Sequence, residues 1–223
     1  MSVMKKILGL AGAALLATSV AGSAATLSVS AGGTAGTLGL IKFNPNGSNG
    51  VTGLHAGDAF TKFEVAADNA VLAGGLVLTG QAKVFVTYLG KEAGAKDWFI
   101  QTAGGQQLDN KQALGSQISF IQLASGYLKF LYKTDLFGTP NKTVTNGGID
   151  QKKDMAIGFS KVSNNGKTVF ALFDDGAKPG APDRDFDDMI VRIDIQSIPL
   201  PAGGLLLLTG LGGLVAARRR KSL

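Results

Sequence analysis

The middle of the chain, residues 26–197, carries its apolar residues in short bursts with a period of two. Such alternation is typical of strands with one buried face, and it is clearest at 155–160 and 189–195. Residues 169–173 are apolar throughout, as in a central strand covered on both faces, and residues 82–89 are β-branched and aromatic. No stretch of this region keeps a helical period for a dozen residues, so the pattern predicts strands.

Turn residues separate the predicted strands. Asn164-Asn165-Gly166 predicts a tight hairpin that joins Met155–Val162 to Lys167–Phe173. Many short strands with turn signals and no alternating helices are typical of an antiparallel β-sandwich. The sequence therefore predicts one all-β domain, a jelly-roll-like antiparallel β-sandwich, over residues 26–197.

The N-terminal segment has the pattern of a secretory signal peptide. Lys5 and Lys6 precede an apolar run, residues 7–17, and small residues follow with Ser23 and Ala25 placed as the −3 and −1 residues of a cleavage site. We expect signal peptidase to cut after Ala25. The alternative is a retained N-terminal membrane anchor, but the apolar run is short for a membrane span.

The C-terminal segment has the pattern of a membrane helix with a basic end. An uncharged run of 16 residues, 202–217, follows Ile198-Pro199-Leu200-Pro201 and precedes Arg218-Arg219-Arg220-Lys221. As a helix it covers about 24 Å of the roughly 30 Å hydrocarbon core, and residues 198–201 with snorkelling arginines close much of the gap. The cations predict a cytoplasmic end and an external domain. A buried core helix is the alternative, but the run lacks polar residues at a helical period.

This order of proline signature, apolar span and arginine cluster resembles the PEP-CTERM sorting signal of Gram-negative bacteria. Ile198 to Ala202 is similar to its Val-Pro-Leu-Pro-Ala variant, with isoleucine in place of valine. The resemblance implies processing by an exosortase, an intramembrane enzyme, near the proline signature. The residues that carry it are Pro199, Leu200, Pro201, Ala202, Arg218, Arg219 and Arg220. We thus expect a signal peptide at 1–25, an exported domain at 26–197 and a sorting signal at 198–223.

Charge and composition exclude several classes of function. The net charge of +6 comes from the ends: six of the 22 Lys and Arg lie at positions 5, 6 and 218–221, which leaves 16 against 16 Asp and Glu. A nucleic-acid partner is therefore not expected. The chain has no cysteine, so thiol catalysis and disulfides are excluded. Its single histidine, His55, lies in a glycine-flanked loop with no nucleophile motif, and we interpret it as solvated.

Seven of the sixteen acids fall between Asp174 and Asp194, around one strand–loop–strand segment. Crowded carboxylates repel one another unless a cation lies among them, and hard oxygen ligands on a loop suit Ca²⁺. If the backbone is extended, Asp183, Asp185 and Asp187 project to one side, and a hairpin brings them opposite the first pair. The predicted calcium ligands are Asp174, Asp175, Asp183, Asp185, Asp187 and Asp188.

The segment is not an EF-hand, because Asp188 occupies the position that requires glycine and a strand follows. It resembles the Asp-rich strand–loop–strand signature of DUF4114-like domains of exported bacterial surface proteins. That resemblance implies calcium binding by Asp175, Asp183, Asp185 and Asp188, with Asp187 at a position often filled by Asn. Two alternatives stay open. In the first, the aspartates are ordinary residues of solvated turns, and Lys178, Arg184 and Arg192 neutralise several of them. In the second, two of the carboxylates act as a catalytic pair, as in glycosidases.

Together these features predict an exported, non-enzymatic protein of the cell surface or extracellular matrix, stabilised by calcium. Before processing it would be anchored in the inner membrane by its C-terminus. The alternative function is a carbohydrate-binding module for exopolysaccharide. Its stacking platform would come from the aromatic residues Trp98, Tyr88, Tyr127 and Tyr132. A hydrolase built on the aspartates is the third hypothesis.

Overall fold

The computed structural model describes residues 24–39, 53–64, 74–92, 94–135, 142–148, 155–176, 185–199 and 210. These described residues contain fourteen strands. They are β1 Thr26–Val29, β2 Thr34–Thr37, β3 Ala59–Phe63, β4 Leu76–Thr79, β5 Ala82–Gly90, β6 Asp97–Gln101, β7 Gln107–Asp109, β8 Gln117–Gln122, β9 Gly126–Tyr127, β10 Phe130–Thr134, β11 Lys142–Thr145, β12 Ala156–Ser160, β13 Thr168–Asp174 and β14 Met189–Ser197.

The strands form three sheets in which every pairing is antiparallel. The largest has the order β2-β3-β12-β13-β14-β5-β8, the second β11-β10-β6-β7, and the third β1-β4-β9. The prediction of an all-β antiparallel protein is therefore confirmed.

The predicted hairpin is present between β12 and β13. Asn164, Asn165 and Gly166 all have positive φ (51°, 52° and 82°), the region that asparagine and glycine enter most easily. Thr168 to Asp174 forms the central strand expected from its continuous apolar run, and only its first residue is partly exposed. Residues 82–89 and 189–195 are strands β5 and β14, as the sequence predicts.

One hydrophobic core draws side chains from all three sheets, including Leu27 of β1, Phe99 of β6 and Val191 of β14. The ring of Tyr132 stacks on that of Phe173 with centroids 4.6 Å apart, which joins the four-stranded sheet to the seven-stranded one. A second, smaller core lies on the other face of the seven-stranded sheet. The largest sheet is thus covered on both faces along part of its length.

Strand β14 separates two ends of the domain. At its first end Ile190 pairs with Gly90 of β5, and the aspartate-rich segment precedes it. At its last end Ser197 pairs with Ala82, and Ile198 N–H donates to the Gln81 carbonyl at 3.0 Å. Nine strand residues at about 3.3 Å each place these ends about 27 Å apart.

Residues 1–23 of the predicted signal peptide lie outside the described residues. The same is true of the sorting signal from Leu200, Pro201 and Ala202 to Arg218, Arg219 and Arg220, apart from residue 210. Pro199 is described and exposed. Within the described ranges, no helix has the length and apolar character needed for a membrane crossing.

Candidate metal centre

Three carboxylates meet at the first end of β14. One carboxylate oxygen each from Glu92, Asp185 and Asp187 lies within 4.8 Å of the other two. Glu92 is exposed, Asp185 is half-buried, and Asp187 is 2% exposed. This group of acids could hold a metal ion.

The pairing of β5 with β14 brings Glu92 to this group. Glu92 lies two residues beyond the end of β5, and Asp187 lies two residues before the start of β14. Glu92 N–H donates to the Asp187 carbonyl at 2.8 Å, which continues the antiparallel pairing past both strands. Sequence reasoning missed Glu92, because the partner of β5 is a strand about a hundred residues away.

Phe186 fixes the loop between the two aspartates. Its side chain is fully buried and meets the ring of Phe60 edge-on at 4.9 Å. Its φ is +63°, so the backbone from 185 to 187 is not extended, contrary to the expectation from the alternating acids. Asp185 and Asp187 meet at one point because of this turn and the anchored ring.

Three further predicted ligands lie behind the group. Asp174, Asp175 and Asp188 are all buried. Asp175 N–H donates to Asp188 Oδ2 at 2.6 Å, and Gly176 N–H donates to Asp174 Oδ1 at 2.9 Å. Burial, and then the negative charge of Asp175, raise the pKa of Asp188 to about 10. The end of β13 therefore does approach the start of β14, as the hairpin prediction required.

Asp97, at the start of β6, extends the acidic region and was not predicted. It is fully buried, and its Oδ2 accepts from Asn110 Nδ2 at 2.8 Å. Burial, and then the charge of Asp175, raise its pKa to about 7. Within the described part of the chain, Asp97 Oδ1 and Asn110 Oδ1 are buried and accept no hydrogen bond. The only sequence signal for Asp97 is a charged residue at the start of an apolar strand.

Of the three cations expected to neutralise acids of this segment, Arg192 is described, and it pairs with Asp194, with Nε 2.7 Å from Oδ2. Burial, and then the neighbouring Lys111, lower the pKa of Lys91 to about 8. Of the other expected partners of the acids, Lys178 and Arg184 lie outside the described residues, as does the predicted ligand Asp183.

The remaining chemistry-bearing residues lie apart from the acids or in the core. The His55 side chain is 79% exposed, and its Nδ1 lies 3.6 Å from Asp58 Oδ2, as expected of a solvated loop histidine. Tyr88 and Tyr132 are buried, and burial raises the pKa of Tyr88 to about 12. The Trp98 ring has the Nζ atoms of Lys96 and Lys133 at 5.0 and 4.9 Å from its centroid.

Tyr88 and Tyr132 are buried core side chains, so two of the four residues expected to form a sugar-stacking platform are not accessible to a sugar. Comparison of the chain with protein-family models, curated proteins and solved structures finds no match.

Proposed function

We propose that this protein is an exported, non-enzymatic component of the cell surface or extracellular matrix, whose β domain is stabilised by calcium. The observation that carries the metal part is the meeting of Glu92, Asp185 and Asp187 from two separate strand ends. We also propose that the three sheets pack as a β-sandwich, which the shared core supports.

The ligand chemistry supports calcium. All three side chains offer hard carboxylate oxygens, and Asp185 Oδ1 is a buried oxygen that accepts no hydrogen bond within the described part of the chain. Calcium takes about 6–8 oxygen ligands, so the remaining positions would be filled by second carboxylate oxygens, backbone carbonyls and water. A divalent cation would also offset the negative charge of Asp175, which contributes to the raised pKa of Asp188.

Export and sorting rest on the two ends of the sequence. The first strand begins at Thr26 and the last ends at Ser197. Both segments proposed for membrane targeting therefore leave the domain next to a strand end. Signal peptidase would release the N-terminus, and an exosortase-type enzyme would act near the proline signature of the segment 198–223.

A calcium-dependent melting experiment tests the metal site. The full chain is melted once in chelator and once in calcium at about 100 times its Kd. At that concentration calcium should raise the free energy of unfolding by about 2.7 kcal/mol and the Tm by about 5–10 °C. Asp185→Asn and Asp187→Asn should lose this shift. Asp58→Asn is the matched control, because Asp58 is a partly exposed acid beside His55 and is not one of the clustered carboxylates. Equal melting temperatures in chelator and millimolar calcium would contradict the metal assignment.

The intact mass of the protein from its native host tests export and sorting separately. Loss of both terminal segments supports the proposal. A mass that retains both ends would contradict the sorting proposal and leave the metal site to be judged by the melting experiment.

A further inference from the structure

The folded domain begins before Thr26. Ala25 is 1% exposed and belongs to the main hydrophobic core, whereas Ala24 is exposed. The Ala25 carbonyl oxygen also accepts a hydrogen bond from Lys167 Nζ. Both the side chain and the carbonyl of Ala25 are therefore part of the fold.

Lys167 joins the two ends of the domain. Besides Ala25, its Nζ donates to Ser197 Oγ at 2.7 Å, and its backbone carbonyl accepts from Ile195 N–H at 2.9 Å. The lysine thus fixes the start of β1 against the end of β14.

The hairpin turn next to Lys167 is shaped to receive the start of β1. Leu27 N–H donates to the Gly166 carbonyl at 2.7 Å. A Cβ on Gly166 would lie 3.0 Å from Thr26 Cβ, and the φ of Gly166 is +82°. Only glycine allows this close approach without strain. The contacts hold residues 25–27 as one unit.

A cut after Ala25 would damage this arrangement in three ways. It would remove a core side chain and the carbonyl that Lys167 binds. It would also place the new α-ammonium group of Thr26 beside the Lys167 ammonium, so that two cations meet in a partly buried position. The chain from which Ala25 is missing should be the less stable product.

We propose that the signal peptide is removed by hydrolysis of the Ser23–Ala24 bond, so that Ala24 becomes the first residue of the mature protein. Water adds across this bond, leaving a carboxyl group on Ser23 and an amino group on Ala24. Ala21 and Ser23 then occupy the −3 and −1 positions, and both are small residues. The small residues at 21–25 also allow cuts after Ala24 or after Ala25. A cut after Ala24 would put the new charged amino group on Ala25, which is 1% exposed, whereas a cut after Ser23 puts it on the exposed Ala24. This inference rests on the proposed export.

N-terminal sequencing and intact mass of the exported full chain test the position. The expected first residue is Ala24. A first residue of Ala25 or Thr26 would overturn the inference while leaving export intact. An exported chain that still carries Met1 would overturn both the inference and the proposed removal of a signal peptide.

Two matched variants separate the sites, because each changes a position read in only one of them. Ala21→Phe alters the −3 residue of the proposed site and should cause loss of the processed form. Ala25→Phe alters the −1 residue of the alternative site and should leave cleavage at Ala24. Both are read by mass after denaturation, so that misfolding does not affect the outcome. Normal processing of Ala21→Phe together with loss of processing in Ala25→Phe would overturn the proposal.

Discussion

Asp97 makes the metal-free domain sensitive to pH. Its pKa is about 7 in the folded chain and about 3.9 in an unfolded chain, so the folded state binds more protons between these values. The free energy of unfolding of the metal-free protein should therefore fall as pH rises from about 4 to about 7. Urea unfolding in chelator across this range measures the effect.

Asp97→Asn should reduce this pH dependence, because the substituted amide does not ionise. At pH 8 the variant should also be more stable than the parent in chelator, by about 1–3 kcal/mol, since the desolvated charge is gone. The oxygen of the new amide can still accept the hydrogen bond from Asn110 Nδ2. If Asp97→Asn leaves the pH dependence of the free energy of unfolding unchanged, groups other than Asp97 cause that dependence.

Asn146 is a second buried polar residue whose replacement has a clear outcome. Its Oδ1 accepts from Leu76 N–H at 2.8 Å, and its Nδ2 donates to the carbonyls of Leu76 and Leu128, both at 2.8 Å. Asn146→Asp keeps the shape but turns the donor into an oxygen that faces two carbonyls. We expect a loss of about 2–5 kcal/mol in chemical unfolding. Asn164→Asp, at an exposed position, is the control. If both substitutions lower the free energy of unfolding equally, the buried hydrogen bonds of Asn146 do not have the stabilising role assigned to them.

At the scale of elements, the small core behind the seven-stranded sheet supports the loop that carries Asp185 and Asp187. Gly158 of β12 leaves room for the Phe60 ring, which in turn meets Phe186 between the two aspartates. Phe186→Ala should destabilise the chain by about 3–5 kcal/mol and also weaken calcium binding, because Asp185 and Asp187 lose their common anchor. Isothermal titration below the melting temperature measures the affinity.

Phe159→Ala is the control for this prediction. Phe159 is equally buried but belongs to the main core, so its loss should lower stability without a comparable loss of affinity. Equal calcium affinities of the parent and Phe186→Ala would contradict the role of the small core.

The strands and their turns were largely predictable from the sequence, and their partners were not. The hairpin of β12 and β13 follows from local chemistry, since Asn164, Asn165 and Gly166 tolerate positive φ. The pairing of β5 with β14 is a long-range contact with no local signal, so Glu92 was missed. Asp97 was missed for the same reason, because β6 belongs to a different sheet.

The aspartates illustrate the same limit within one short segment. Their number predicted a cation site, but the direction of each side chain depends on the positive φ of Phe186. A bulky residue rarely adopts that conformation, and here the packing of its ring in the small core holds it.

At the scale of the whole molecule, the acidic group lies at one end of β14, and the two ends of the folded domain, Ala25 and Ser197, lie at the other. The acids surround its first residues, while Lys167 binds Ala25 and Ser197 at its last. A segment directed to the membrane would therefore leave from the end of β14 opposite the clustered carboxylates. Calcium would act on the outer end of an anchored protein without touching the attachment.

Hydrogen exchange on the full chain should reveal this division. Removal of calcium should speed amide exchange at the acidic end, where Glu92 and Asp175 donate through their N–H groups to Asp187 and Asp188. The amides of Leu27 and Ile195 at the Lys167 end should keep their protection, because their hydrogen bonds involve no acidic residue. Equal acceleration at both ends would mean that the domain opens as one cooperative unit and that calcium stabilises it globally.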